Sequence, residues 1–251
     1  MTGMHSPEPG GATTGPGHGP AEDLSAAALS LARRFAAGAT MWCVAPTWPA
    51  HARHVAVEFV HPVVVGARAL PAVSIDAAGA AETVRLLAHP GDLLLVVSTA
   101  TDPVACDLVA RADAWGLTSV WLGAGPRPGP GRGSVRADHV VWRDDAPAPV
   151  AARSGDLVLL YHLLWELTHL VFEHPGLLTT EPDGTDEVCV TCSDEGRVAE
   201  VRTVLGAGRV EVLAGGRPEQ IDGRLVDDLR PGDLVLVHAG VALASLPVSL
   251  P

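Results

Sequence analysis

"GDLLLVVSTATDPVACDLVARADAWGLTSVWLGAG", residues 91–125, decides the fold. Two apolar runs of buried-strand length, 93–98 and 118–123, bracket a segment in which Asp102 is placed to cap a helix, Pro103 suits its first position and Gly116 can stop it. The order is strand, helix, strand. The apolar runs are continuous, whereas a strand with one wet face alternates, so the sheet is expected to carry helices on both faces, in a parallel α/β architecture. Outward from this unit, "TMWCVA" (40–45) and "PAVSI" (71–75) add strand-like runs separated by stretches of helical period. "AEDLSAAALSLARRFAAG" (21–38) reads as an opening helix with Gly38 as its C-cap, and a long helix is predicted after "HVVWRD", from about Ala151 to Glu173.

Beyond that helix the pattern changes. Pro175, Gly176, Pro182 and Gly184 punctuate a polar stretch, after which apolar and polar residues alternate between the turns "GAG", "AGG" and "RPGD". That is the signature of a small antiparallel barrel. The expected organisation is a Gly/Pro-rich disordered tail over 1–20, an α/β domain over 21–178, a linker over 179–186 and an all-β barrel over 187–251. With 251 residues, 47% of them hydrophobic, the chain can bury one large core or two modest ones.

The formal net charge is −12 and all 17 basic residues are arginine, with no basic cluster interleaved with aromatics, so nucleic acid is excluded as a partner. No apolar run approaches the roughly 20 residues that a spanning helix needs, and no charged n-region precedes an apolar stretch. The expectation is a cytoplasmic protein with reduced thiols and no membrane contact.

Of the four cysteines, Cys43 and Cys106 sit alone in apolar segments, while Cys189 and Cys192 stand three apart in "DEVCVTCSDEGRVAEV" (186–201). A zinc site needs four ligands, and the barrel segment offers no second C-x-x-C, only His238. A redox pair belongs at a helix N-terminus within a β-α-β unit, and this pair precedes strand-like alternation. Zinc and redox exchange are both disfavoured on these counts, and two small apolar fillers beside a strand are the bland alternative.

"CVTCSDEGRVAEV" (189–201), with "LRPGDLVLVHAGVALASL" (229–246), resembles the HypC/HupF family of [NiFe]-hydrogenase maturation chaperones. The resemblance implies a small OB-like barrel whose cysteine, with a maturation scaffold protein, holds an iron fragment carrying cyanide and carbon monoxide ligands. That fragment is delivered to the hydrogenase large-subunit precursor. Cys189 is the implied iron ligand, Cys192 the second choice, and His238 a ligand or a hydrogen-bond partner of one. Gly232 and Asp233 set the turn before the last histidine-bearing strand. This chain departs from the family's short form, in which the cysteine follows the initiator methionine.

Residues 41–75, 91–125 and 156–173 resemble, in their order of elements, the sugar isomerase (SIS) fold, nearest to phosphoheptose isomerase. His54 and Glu58, at i and i+4 on a predicted helix, share a face. They match that family's metal and catalytic positions, as His162 matches its second histidine, while Ser154 stands where the family has glutamine. The resemblance implies a divalent metal such as zinc on His54, Glu58 and His162; alternatively, Glu58 forms an ion pair with Arg53 or Arg68. The family's phosphate loop corresponds to "STATDP" (98–103), where Ser98, Thr99 and Thr101 offer hydroxyls. Pro46, Pro49 and Pro103 withdraw N–H donors from the same region. A homo-oligomer built through this domain is implied as well. The favoured function is an assembly chaperone rather than an enzyme. The alternative is a phosphosugar isomerase with Glu58 as base and His162 as acid.

Overall fold

The structure, a computed structural model, describes residues 20–64, 66–126, 137–143, 150–178 and 196–246. The first unit runs α1 (Pro20–Ala36), β1 (Met41–Val44), α2 (Pro49–Val60), β2 (Ala72–Ile75), α3 (Ala80–Leu87), β3 (Leu93–Ser98), α4 (Pro103–Ala112), β4 (Thr118–Ala124), β5 (His139–Arg143) and α5 (Val150–Glu173). Its five strands are all parallel, in the order β2-β1-β3-β4-β5. The central strands are buried on both faces, so successive residues serve different layers. Met41, Cys43, Leu93 and Leu95 meet α1, α2 and α5, while Trp42, Val44, Leu94 and Val96 meet α3 and α4. This is the three-layer sandwich that the sequence predicts. The edge strand β2 differs from the expected buried run: Val73 and Ser74 are exposed because only β1 pairs with it.

Polar residues at strand ends fasten the sheet. Asp92 is buried just ahead of β3; one carboxylate oxygen accepts from the Thr40 amide at 2.8 Å, the other from the Trp42 indole N–H and the His89 amide, both at 3.0 Å. Asp138 joins β5 to β4 in the same way, accepting at 2.7 Å from both the amide and the hydroxyl of Ser119. The buried Asp92 carboxylate is tolerated because it takes three donors, whereas Asp138 is exposed.

The second unit is a closed barrel of β6 (Arg197–Gly206), β7 (Arg209–Ala214), β8 (Arg217–Asp222), β9 (Leu234–His238) and β10 (Val241–Leu246), ordered β10-β8-β7-β6-β9. Alternation puts Ala199, Val201, Val210, Val212, Val235 and Val237 inside. The β7–β8 and β9–β10 hairpins turn on Gly215–Gly216 and Ala239–Gly240, all four with positive φ, as two-residue turns matched to strand twist require. Gly232 and Asp233 do form the turn before β9, where an Asp233 carboxylate oxygen accepts from the Arg230 amide at 2.8 Å.

The barrel docks on the α/β unit at the amino ends of β3 and β4. Trp115, after α4, donates its indole N–H to Glu200 of β6 at 2.5 Å, and Arg111 of α4 lies 3.6 Å from the same carboxylate. Arg111 also donates to Asp107 at 2.8 Å and to the Gly232 carbonyl at 2.9 Å. The Gly216 amide donates to the Ala114 carbonyl at 2.8 Å. Backbones meet this closely because side chains are missing: a Cβ on Gly116 would lie 2.8 Å from the Gly215 oxygen, and one on Gly216 2.7 Å from the Trp115 oxygen.

Candidate metal centre

Helix α2 starts with Pro49 at its first turn and turns His51, Ala52, Val55, Ala56 and Phe59 into the core. His54 and Glu58 therefore fall together on the flank that faces α5, both half-buried. Helix α5 presents Tyr161, Leu164 and Trp165 inward, which leaves His162 beside them on the same flank. The His54 Nε2 and Glu58 Oε1 atoms are 3.2 Å apart, His162 Nε2 and the same oxygen 3.6 Å, and the two imidazoles meet edge to face at 5.1 Å. Glu58 thus pairs with histidine, whereas Arg68 lies over the Phe172 ring instead.

The three residues can each offer one ligand atom with all of them within 4.8 Å of one another. Donors bound about 2.0–2.1 Å from a tetrahedral zinc ion stand about 3.3 Å apart, close to the two distances from Glu58, 3.2 and 3.6 Å. The chemistry of the set also fits: two neutral imidazoles and a carboxylate are borderline donors suited to zinc and its neighbours. His162 Nε2 is shut from solvent and, among the described residues, has no hydrogen-bond partner, Glu58 at 3.6 Å being too far for one; a cation would satisfy it.

Two residues at this centre were missed by the sequence reading. The Tyr161 hydroxyl is 2.8 Å from His54 Nδ1 and 3.3 Å from His51 Nδ1. Burial, with the Glu58 charge adding to it, pushes the phenol pKa up to about 12, so it stays a neutral donor and acceptor. A cavity of about 380 Å³ opens beside them, lined by Trp48, Pro49, Ala50, His51, His54, Val158 and Tyr161. The only trace of the pair in the sequence is His51 one helical turn before His54 and Tyr161 adjacent to His162.

The expected phosphate loop has a different interior. Ser98 is fully buried and, among the described residues, its Oγ has no hydrogen-bond partner; Thr99 is half-buried and Thr101 exposed. Asp102 caps α4, one carboxylate oxygen accepting from the Val104 and Ala105 amides at 3.0 and 3.1 Å. Its other oxygen accepts from the Thr47 hydroxyl at 2.7 Å, which ties the loop after β1 to the loop after β3. In this strand order that is the switch point where ligands enter open α/β sheets, and the anion-binding amides there already hold a carboxylate.

Elsewhere, Cys43 and Cys106 are buried, and burial raises both thiols, with the Asp102 charge adding at Cys106. They are inert packing residues. His238 closes β9, across the hairpin from Val241. Cys189 and Cys192, the linker over 179–186 and the tail expected over 1–20 lie outside the described residues, save Pro20, which opens α1 instead.

Burial holds His51 below the ordinary histidine value of 6.5, with the His54 charge adding to the effect. Burial lowers His139 too, against the raising influence of Asp138 and Asp23. Above the unfolded value both states are neutral; as pH falls through it, the unfolded chain takes protons first and stability drops. The melting temperature, measured in chelator, should therefore decline from pH 7.5 to 5.5; a flat or rising profile contradicts this account.

The chain thus joins a three-layer α/β unit, with a His-Glu-His cluster on one helical layer, to a small closed barrel. Among the described residues no helix is long and apolar enough to cross a membrane. Residues 195–248 match the HupF/HypC family model, a span that contains all five barrel strands. No curated protein matches the chain. Among solved structures, a phosphoheptose isomerase from Francisella tularensis is similar over 60% of this chain and 89% of its own, at 18% identity and a TM-score of 0.48. A phosphoheptose isomerase from Neisseria gonorrhoeae is similar over 58% and 84%, at 21% identity and a TM-score of 0.45.

Proposed function

We propose that the chain is a cytoplasmic accessory protein of [NiFe]-hydrogenase assembly. Its barrel holds the iron fragment with cyanide and carbon monoxide through Cys189, with Cys192 beside it, and works with a scaffold protein to load the large-subunit precursor. The observation that carries this reading is the coincidence of the HupF/HypC match with the closed barrel. The strand register supports it: Arg197 pairs with Val237, so the chain enters the barrel beside His238. A thiolate is the soft donor such an iron centre prefers.

The α/β unit serves as a second module, docked on the barrel, which pairs with another copy and holds a divalent ion on His54, Glu58 and His162. Bound there, zinc would supply a Lewis acid with an open position. A phosphosugar isomerase, with Glu58 as base and His162 as acid, draws support from the same triad. The Asp102 carboxylate on the α4 amides argues against it, because a phosphate would meet like charge and occupied donors.

One experiment separates the two. In cells lacking the wild-type gene, Cys189→Ala should reduce large-subunit maturation to background while Glu58→Gln spares it; purified protein should turn over no phosphosugar. Intact maturation in Cys189→Ala, with Glu58-dependent isomerisation in vitro, reverses the assignment.

A further inference from the structure

We propose that Tyr161 and His51 are positioning residues of the metal centre, a hydrogen-bonded relay that sets which nitrogen of His54 meets the cation. The inference rests on the metal reading above. His54 faces the triad with Nε2, 3.2 Å from Glu58, and faces Tyr161 with Nδ1, at 2.8 Å. An imidazole that binds a metal through Nε2 keeps its proton on Nδ1 and needs an acceptor there. The Tyr161 oxygen is that acceptor. Its own proton then passes along to His51 Nδ1, 3.3 Å away, so the His54 Nδ1–H and the Tyr161 hydroxyl each have an acceptor.

Without a metal the same row runs backwards. His54 donates from Nε2 to Glu58, its bare Nδ1 accepts from the Tyr161 hydroxyl, and the Tyr161 oxygen accepts from His51. Only a group that both donates and accepts can serve the two states, and a hydroxyl does so by rotating. A carboxylate in its place would add a second negative charge next to Glu58. A phenylalanine would leave the His54 Nδ1–H facing a buried hydrocarbon, since Tyr161 is 1% exposed. His51 also lines the cavity beside the centre, so the relay links the cation to whatever enters there.

The test uses the full chain, metal-stripped and titrated with Zn²⁺ against a competing chelator and with Co²⁺ followed by visible absorption. Wild type should bind one ion per chain with a tetrahedral Co²⁺ spectrum. Tyr161→Phe should weaken binding by about 10- to 100-fold and alter that spectrum, and His51→Leu should weaken it less, in the same direction. Wild-type affinity and spectrum in Tyr161→Phe overturn the relay and leave the centre standing. Absence of binding in wild type, no different from Glu58→Ala, overturns the centre and the relay with it. Should Tyr161→Phe fail to fold, His51→Leu decides: unchanged affinity refutes the proposal.

Discussion

Arg111→Ala is expected to destabilise the folded chain by about 3–5 kcal/mol, the usual cost of removing one partner from a buried ion pair. The Glu200 side chain is 5% exposed, and the guanidinium 3.6 Å away is the cation facing it. With arginine gone, Glu200 keeps, among the described residues, only the Trp115 indole N–H, too little for a desolvated carboxylate. The loss also removes the bond to Gly232 and with it one fastening between the units. Chemical denaturation should show the lower stability, and amide exchange in β6 and β9 should quicken. A sign test comes with it: Arg111→Met with Glu200→Leu should recover part of the loss by removing both charges. Recovery stays incomplete because Trp115 then has no acceptor. A change under about 1 kcal/mol in Arg111→Ala, with barrel exchange unaltered, would show that Arg111 does not compensate Glu200.

The second large effect is in the α/β core. A methyl group at Gly123 on β4 would lie 1.9 Å from Trp142 Cζ3 and 2.2 Å from Cη2. Trp142 cannot retreat, because its indole N–H donates to the Gly125 carbonyl at 2.8 Å and its ring meets Trp121 edge to face at 5.7 Å. Gly123→Ala should therefore fall at or above the top of the overpacking range, about 3 kcal/mol. For a chain of this length that is a melting temperature lower by about 6–12 °C. A shift of less than about 2 °C would mean that the indole has another place to go.

The elements most legible in the sequence were those set by local chemistry. Asp102, Pro103 and Gly116 bound α4 and its loop as read, since capping, a fixed φ and left-handed backbone act within a few residues. The α5 boundaries and the barrel's alternation were readable for the same reason. His54 and Glu58 could be paired from their spacing, but His162 entered only through a family resemblance. Tyr161 and His51 were invisible because their partners depend on how α5 crosses α2. Glu200 reads as one more polar residue in an alternating strand; its burial arises when the barrel meets Trp115. Asp102 was legible as a cap, yet its second bond, to Thr47, requires two loops brought together by the β1–β3 pairing.

That bond has a further meaning for ligand choice. A dissolved anion drawn to the start of α4 must displace a negative group wired to the same backbone, and a tethered competitor acts at a very high effective concentration. Mass action thus favours the tethered carboxylate at these amides. Swapping Asp102 for a small neutral residue would remove that competitor, while Pro46, Pro49 and Pro103 would still withhold their N–H donors.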